Sequence, residues 1–276
     1  IQQAEIDAVV ICSPTDTHTE YIRACAVQEK HIFCEKPIDL DLEKIKNILE
    51  IVNEAGVQMM VGFNRRFDPN FAKIKALVTD GKIGDPQILK ITSRDPGPPP
   101  PQYINSSGGL FLDMAIHDFD MARFIVQDEV EEVYSKGAVL IDKEIGRLGD
   151  IDTAITTLQF KNGAMGVIDN SRKAVYGYDQ RLEIFGSGGL AKSDNNLPEN
   201  HELFDGSGSH KSLPLNFFME RYTESYYLEM LEFAQAILKG KPLSVSGMDG
   251  LLSVAIGLAA KKSVEDKRPV LLEEIL

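Results

Sequence analysis

Short apolar runs alternate with amphipathic stretches over the first third of the chain. Asp7 to Pro14 (DAVVICSP), His31 to Cys34 (HIFC) and Val57 to Phe63 (VQMMVGF) have the unbroken apolar character of strands buried on both faces. Between the first two, Thr17 to Val27 has helix-compatible spacing. Asp39 or Asp41 can then cap a helix that places Leu42, Ile45, Ile48, Leu49 and Val52 on one face and closes at Gly56. Strands alternating with helices at this spacing predict a parallel sheet with crossover helices.

Phe67 to Asp80 predicts another helix, with Phe71, Ile74 and Leu77 inward and Gly81 at its end. From Pro86 the pattern changes. Pro86 to Arg94, Val130 to Leu140, Thr153 to Phe160, Ala164 to Asn170 and Arg181 to Phe185 read as strands joined by turns, in an antiparallel meander. Asn162-Gly163 has the composition of a type I′ hairpin turn, and Gly186 to Gly189 and Gly206 to Gly208 are turn material. Gly108 to Val126, Glu220 to Lys239 and Met248 to Asp266 carry helical periodicity. The fold class is therefore α/β: a parallel part followed by an α+β part.

A length of 276 residues suits two domains at about 150 residues each, and large domains bury a core without disulfide or metal staples. No run of 18 apolar residues is present, so no membrane span is expected. The 29 basic against 42 acidic residues leave a net charge of −13, with the excess spread along the chain. That excludes a nucleic-acid partner, which needs a basic stripe; Lys261-Lys262 with Lys267-Arg268 reads as the solvated end of a helix. Cys12, Cys25 and Cys34 form no Cys-x-x-Cys pair and read as free thiols of a reducing compartment, the cytoplasm by default.

The segment from Gly108 to Asp120 (GGLFLDMAIHDFD) concentrates the chemistry. On a continuous helix Asp113, His117 and Asp120 share one face that is otherwise apolar. A carboxylate beside an imidazole raises its pKa and orients it, as a general base requires. A surface ion pair or a satisfied core histidine is the competing reading. A metal would need further ligands, which the sequence lacks, and Asp118 points off the shared face. Glu35-Lys36-Pro37 and the loop Ser13-Pro14-Thr15-Asp16-Thr17-His18 end neighbouring parallel strands, where open α/β sheets bind ligands, although a lone lysine is ordinarily a solvated surface group. Asp95 to Pro101 holds five prolines in seven residues; it is a rigid loop, either a linker or a wall of the cleft.

Read in order, Ser-Pro-Thr-x-x-His, Glu-Lys-Pro, Gly-Phe-Asn-Arg-Arg-Phe (Gly62 to Phe67) and Gly-Gly-x-x-x-Asp-x-x-x-His-Asp resemble the Gfo/Idh/MocA oxidoreductase family over nearly the whole chain. The resemblance implies part of a Rossmann NAD(P)-binding domain over residues 1–84. Residues 85–276 would form a substrate-binding and oligomerisation domain with an open, mainly antiparallel sheet, the last helix packing back on the first domain. The implied reaction oxidises a ring hydroxyl of a polyol or sugar, an inositol foremost, to a ketone. NAD is the implied cofactor, with NADP also open. Lys36 would orient the hydroxyl and hold its charge, His117 would take its proton, and Asp113 would hydrogen-bond and tune His117. Ser13, Pro14, Thr15, His18, Glu35 and Lys36 match cofactor-side positions; Asn64, Arg65, Asp95 and Tyr178 fall in segments that approach substrate. No metal is implied, and a homo-oligomer, dimer or tetramer, is. The family's Gly-x-Gly-x-x-Gly turn does not occur in these residues, so weak dinucleotide binding and self-association are expected of them alone. A non-catalytic cofactor sensor and an NAD-dependent glycosidase are the alternatives of similar sequence.

Overall fold

The computed structural model describes residue 3 and residues 5–276. Strands β1 (Ala8–Ile11), β2 (His31–Glu35) and β3 (Met59–Gly62) pair in parallel in the order β1-β2-β3. Helices α1 (His18–Val27) and α2 (Leu42–Glu54) make the crossovers. Asp41 is the α2 cap: its carboxylate accepts from the N–H groups of Glu43 (2.9 Å) and Lys44 (3.3 Å), while Asp39 accepts from the N–H of Asp41. β2 and β3 are buried as their apolar runs predict. β1 departs from that expectation, because it lies at the sheet edge and leaves Val10 48% exposed.

Asp68 caps α3 (Pro69–Thr79), which buries Phe71, Ile74 and Val78. Val78, not the predicted Leu77, completes the inner stripe, being four residues beyond Ile74 and seven beyond Phe71. The chain then builds a seven-stranded sheet from β4 (Pro86–Arg94), β5 (Val130–Ala138), β6 (Thr153–Phe160), β7 (Met165–Ser171), β8 (Asp179–Gly186), β9 (Gly189–Ser193) and, last in the chain, β12 (Val270–Leu271). Its order is β12-β5-β6-β7-β4-β8-β9. Every pairing is antiparallel except the central one, β4 with β7, which is parallel and departs from a plain meander. β10 (Glu202–Asp205) and β11 (Gly208–Lys211) form a separate, exposed hairpin.

Two local expectations are corrected. At the β6–β7 turn Gly163 takes a positive φ (90°) but Asn162 does not. The Gly163 N–H bonds to the Phe160 carbonyl at 3.0 Å and the Asn162 side chain accepts from Ala164 N–H, so this is a three-residue loop instead of a type I′ turn. Gly108 to Val126 is likewise not one helix. A short α4 (Pro101–Ser107) ends at Gly108 and Gly109, whose φ values of 83° and 79° suit glycine. A π-turn over Leu110–Met114 follows, with Ala115 N–H bonded to the Leu110 carbonyl at 2.9 Å, and only then α5 (Ile116–Val126). A five-residue α6 (Lys143–Arg147), α4 and the shorter strands are too brief for periodicity to register.

Helices α7 (Phe218–Lys239) and α8 (Gly247–Asp266) touch both sheets. On α7, Phe233 meets Phe33 of β2 edge to face at 5.7 Å, and Tyr222 meets Tyr178, just before β8, at 6.0 Å. On α8, a Cβ at Gly250 would lie 2.7 Å from Ile38, beside β2, and one at Gly257 would lie 2.6 Å from Leu112. The small residues thus let one helix seat against both halves, and the apolar core is continuous from Ile32 to Ile184.

Candidate active site

The carboxyl ends of β2 and β3 point toward the ends of β4 and β7, and polar side chains from all four converge there. Lys36 follows β2. Its Nζ donates to the Asp113 carbonyl at 2.7 Å and lies 3.4 Å from Asp113 Oδ1. The π-turn presents Asp113, which is nearly buried; Tyr103 of α4 donates its hydroxyl to Oδ1 at 2.9 Å and Arg172 donates to Oδ2 at 3.0 Å. Burial opposes the charge on Asp113, but Lys36, Arg172 and the Tyr103 hydrogen bond outweigh it and hold the carboxyl below its usual range.

Arg172 also lies 3.5 Å from Asp95. The parallel β4–β7 pair explains this: Arg94 registers with Ser171, so the residues leaving both strands emerge at one edge, tied by a bond from Asp95 N–H to the Ser171 carbonyl. Burial pushes Asp95 up to about 6 despite Arg172. Sequence patterning places β4 and β7 in a meander and so passes over Arg172; Tyr103 lies in a helix too short to predict.

His117 sits beside this cluster with its ring edge to face against Phe63, centroids 6.1 Å apart. The structure corrects the Asp113–His117 coupling. Asp113 lies in the wide π-turn and His117 in the α-helix after it, so the helical register between them is broken; Asp113 spends its oxygens on Lys36, Tyr103 and Arg172, and no hydrogen bond joins it to His117. Burial first, then Lys36 and Arg65, push the imidazole well below its ordinary value, the reverse of the rise that a carboxylate partner brings. Its Nδ1 is buried without a protein partner among the described residues.

Asp118 and Asp120 are also corrected. Asp118 is fully buried and faces the site, 2.5 Å from Arg65 and accepting from Asn170 Nδ2 at 2.8 Å. Asp120 faces away, pairing with Arg66, which also reaches Asp249. Arg65 further lies 3.4 Å from the hydroxyl of the buried Tyr178. Buried atoms with no protein partner among the described residues gather here: Asn64 Nδ2, Asn170 Oδ1 and Arg172 Nη2 besides His117 Nδ1. Unpaired buried polar atoms are costly, and a polyhydroxylated ligand would pair them.

On the β1 and β2 side, Ser13 and Thr17 share a 2.6 Å hydrogen bond, and Pro14 and Thr15 form the loop's outer turn. His18 is buried between two carbonyls, Nδ1 2.8 Å from Pro37 and Nε2 2.8 Å from Ser13. It thus sits between the Ser-Pro-Thr loop and the Glu-Lys-Pro loop, with a protein carbonyl beside each ring nitrogen. Glu35 Oε2 accepts from the Lys36 N–H at 3.3 Å, over Gly62, where a Cβ would come within 2.9 Å of it. Among the described residues no three His, Cys, Asp or Glu side chains gather as metal ligands, and no helix is long and apolar enough to cross a membrane.

Residues 1–63 match the oxidoreductase family model with an NAD-binding Rossmann fold, and residues 71–192 match the GFO/IDH/MocA C-terminal domain. The chain belongs to the Gfo/Idh/MocA oxidoreductase family. It is 53% identical to the myo-inositol 2-dehydrogenase of Thermotoga maritima across 276 residues, all of this chain and 83% of that protein. Its fold superposes on a myo-inositol dehydrogenase from Corynebacterium glutamicum with a TM-score of 0.94 at 42% identity, covering 98% of this chain and 81% of that one. A scyllo-inositol dehydrogenase from Lactobacillus casei, solved with bound NAD(H) and scyllo-inositol, gives a TM-score of 0.90 at 29% identity, covering 99% and 82%.

The residues of this Gfo/Idh/MocA chain suit a dinucleotide on the β1–β2 side. Loops after two parallel strands offer the Ser13 and Thr15 hydroxyls and backbone amides, and the Glu35 carboxylate seated over Gly62 can accept ribose hydroxyls.

Proposed function

We propose that the protein is an NAD-dependent dehydrogenase that oxidises a ring hydroxyl of an inositol, with myo-inositol at C2 the first substrate to offer. The observation that carries this reading is the position of Lys36. It joins the loop suited to a dinucleotide to the Asp113, Arg172, Asp95 and Arg65 cluster, whose orphaned donors and acceptors match a polyol. Inositol dehydrogenases among the relatives agree with it.

Ser13, Pro14, Thr15 and Glu35 would hold the cofactor, and NAD when bound supplies the hydride acceptor. The chain's own residues handle the oxygen. Lys36 donates to the reacting hydroxyl and stabilises the negative charge that develops on it. Asp113 aims Lys36 through its carbonyl and carboxylate oxygens. His117, neutral because burial and two cations oppose its charging, accepts the hydroxyl proton in the transition state and passes it on readily. Asn64, Arg65, Asp95 and Tyr178 surround the remaining ring hydroxyls. Intact Lys36, Asp113 and His117 argue against a non-catalytic sensor.

The full-length protein offered NAD and myo-inositol is expected to form NADH, followed by absorbance at 340 nm. No NADH from myo-inositol, scyllo-inositol or glucose, with dinucleotide still bound, would sink the dehydrogenase reading. Release of sugar from a glycoside without net NADH would replace it with the glycosidase one.

We also place the protein in the cytoplasm, on its three free cysteines, and in a homo-oligomer of two or four copies. The outer face of the seven-stranded sheet supports the second point. It leaves Ile88 of β4, Ile155 of β6, Met165 of β7 and Phe185 of β8 exposed on adjacent strands. Light scattering should give a dimer or tetramer, and Ile155→Lys with Met165→Lys should shift it to monomer; a monomeric parent would remove the proposal.

A further inference from the structure

The Tyr103 hydroxyl has one proton, and in this structure it is committed. It is donated to Asp113 Oδ1 at 2.9 Å, the same oxygen that lies 3.4 Å from Lys36 Nζ. Burial and the adjacent Asp113 push the phenol upward, so it stays protonated. A hydroxyl whose proton is spent can only accept a further hydrogen bond. Tyr103 is also 48% exposed, whereas Asp113 is nearly buried and Arg172 is 3% exposed. It therefore stands at the open rim of the cluster, on a helix fixed at one end by the Pro98–Pro101 run and at the other by Gly108 and Gly109.

We propose that Tyr103 is a specificity-determining residue: its oxygen accepts a hydrogen bond from the ring hydroxyl adjacent to the one being oxidised, and so selects vicinal diols. The proposal rests on the polyol dehydrogenase reading above. Lys36 and Tyr103 meet on one carboxylate oxygen, so a substrate whose reacting oxygen faces Lys36 brings its neighbouring substituent toward Tyr103. Only a donor fits there. A hydrogen leaves the phenol oxygen unpaired, and a methyl ether adds a second acceptor and a clash. Sites built around a substrate hydroxyl discriminate sharply against analogues that lack it.

The test compares kcat/KM for myo-inositol with that for its 1-deoxy and 1-O-methyl analogues, in the parent and in Tyr103→Phe. The parent should prefer myo-inositol by roughly 100-fold or more. In Tyr103→Phe, kcat/KM for myo-inositol should fall about 10- to 100-fold while the deoxy analogue changes little, so that the preference shrinks below about tenfold. Calorimetric Kd values for the two ligands should converge in the same way without turnover. A merely structural role, acting through Asp113, would lower both substrates equally and keep the ratio; that outcome overturns the proposal. Should Tyr103→Phe unfold, Tyr103→His, which retains an acceptor, should keep part of the preference, and its complete loss in that variant counts against the assignment. A parent that oxidises none of the three compounds refutes the dehydrogenase reading itself.

Discussion

Replacing His117 with alanine is expected to lower kcat for inositol oxidation by roughly 10²- to 10⁴-fold, the range found for a positioned general acid–base group, with KM nearly unchanged. The imidazole lies against Phe63, and its Nδ1 has no protein partner among the described residues, so little else in the fold depends on its ring nitrogens. Its depressed pKa adds a pH signature. The ordinary value of 6.5 is lowered by burial and by Lys36 and Arg65, so the base is already neutral at pH 6.5. The acid limb it produces in the pH profile must therefore lie below that point. Asp95, pushed to about 6, and Asp118 and Glu35, both raised by burial, could also produce an acid limb, and Asp95→Asn, Asp118→Asn and Glu35→Gln separate them from His117: its limb stays in all three variants. Steady-state NADH formation from pH 4.5 to 9 measures both effects. A loss under tenfold in His117→Ala removes the residue from its role.

Removing the Arg65 guanidinium should strongly destabilise the fold. Arg65 and Asp118 are buried, 2.5 Å apart, with side-chain exposures of 5% and 0%. Arg65→Met leaves Asp118 buried without its cation, and breaking a buried pair by removing one partner typically costs about 3–5 kcal/mol. At about 2–4 °C per kcal/mol for a chain of this size, Tm should fall by roughly 6 to 20 °C. The double variant Arg65→Met with Asp118→Asn should recover much of the loss, because a neutral amide can still pair with Asn170. Urea and thermal unfolding of the three proteins form the measurement. A loss under 1 kcal/mol in Arg65→Met, or no recovery in the double variant, would show that the pair is not what holds this part of the site.

The parallel half of the fold, and the side chains at its strand ends, follow from sequence alone. Apolar runs alternating with one-sided helices admit little besides a parallel sheet, and such sheets present their loops at the carboxyl ends. Period and order place Lys36, Ser13 and Glu35 at those strand ends, and the family resemblance adds Arg65. The long helices α7 and α8 were equally legible, since twenty residues average out local exceptions. What sequence could not determine depends on local breaks in helical register and on pairing between distant strands. The helical period carries Asp113 and His117 onto one face; the wide π-turn breaks that register, taking Asp113 to Lys36, Tyr103 and Arg172 and leaving His117 against Phe63. Alternation shows that β4 and β7 are strands without showing that they run parallel, and that pairing brings Asp95 to Arg172. Asp118 reads as an off-face surface acid until Arg65 and Asn170 are seen on either side of it. Local spacing decides which residues can share a turn. Which of them share a carboxylate is decided by strand partners some 75 residues apart, and no local pattern carries that information.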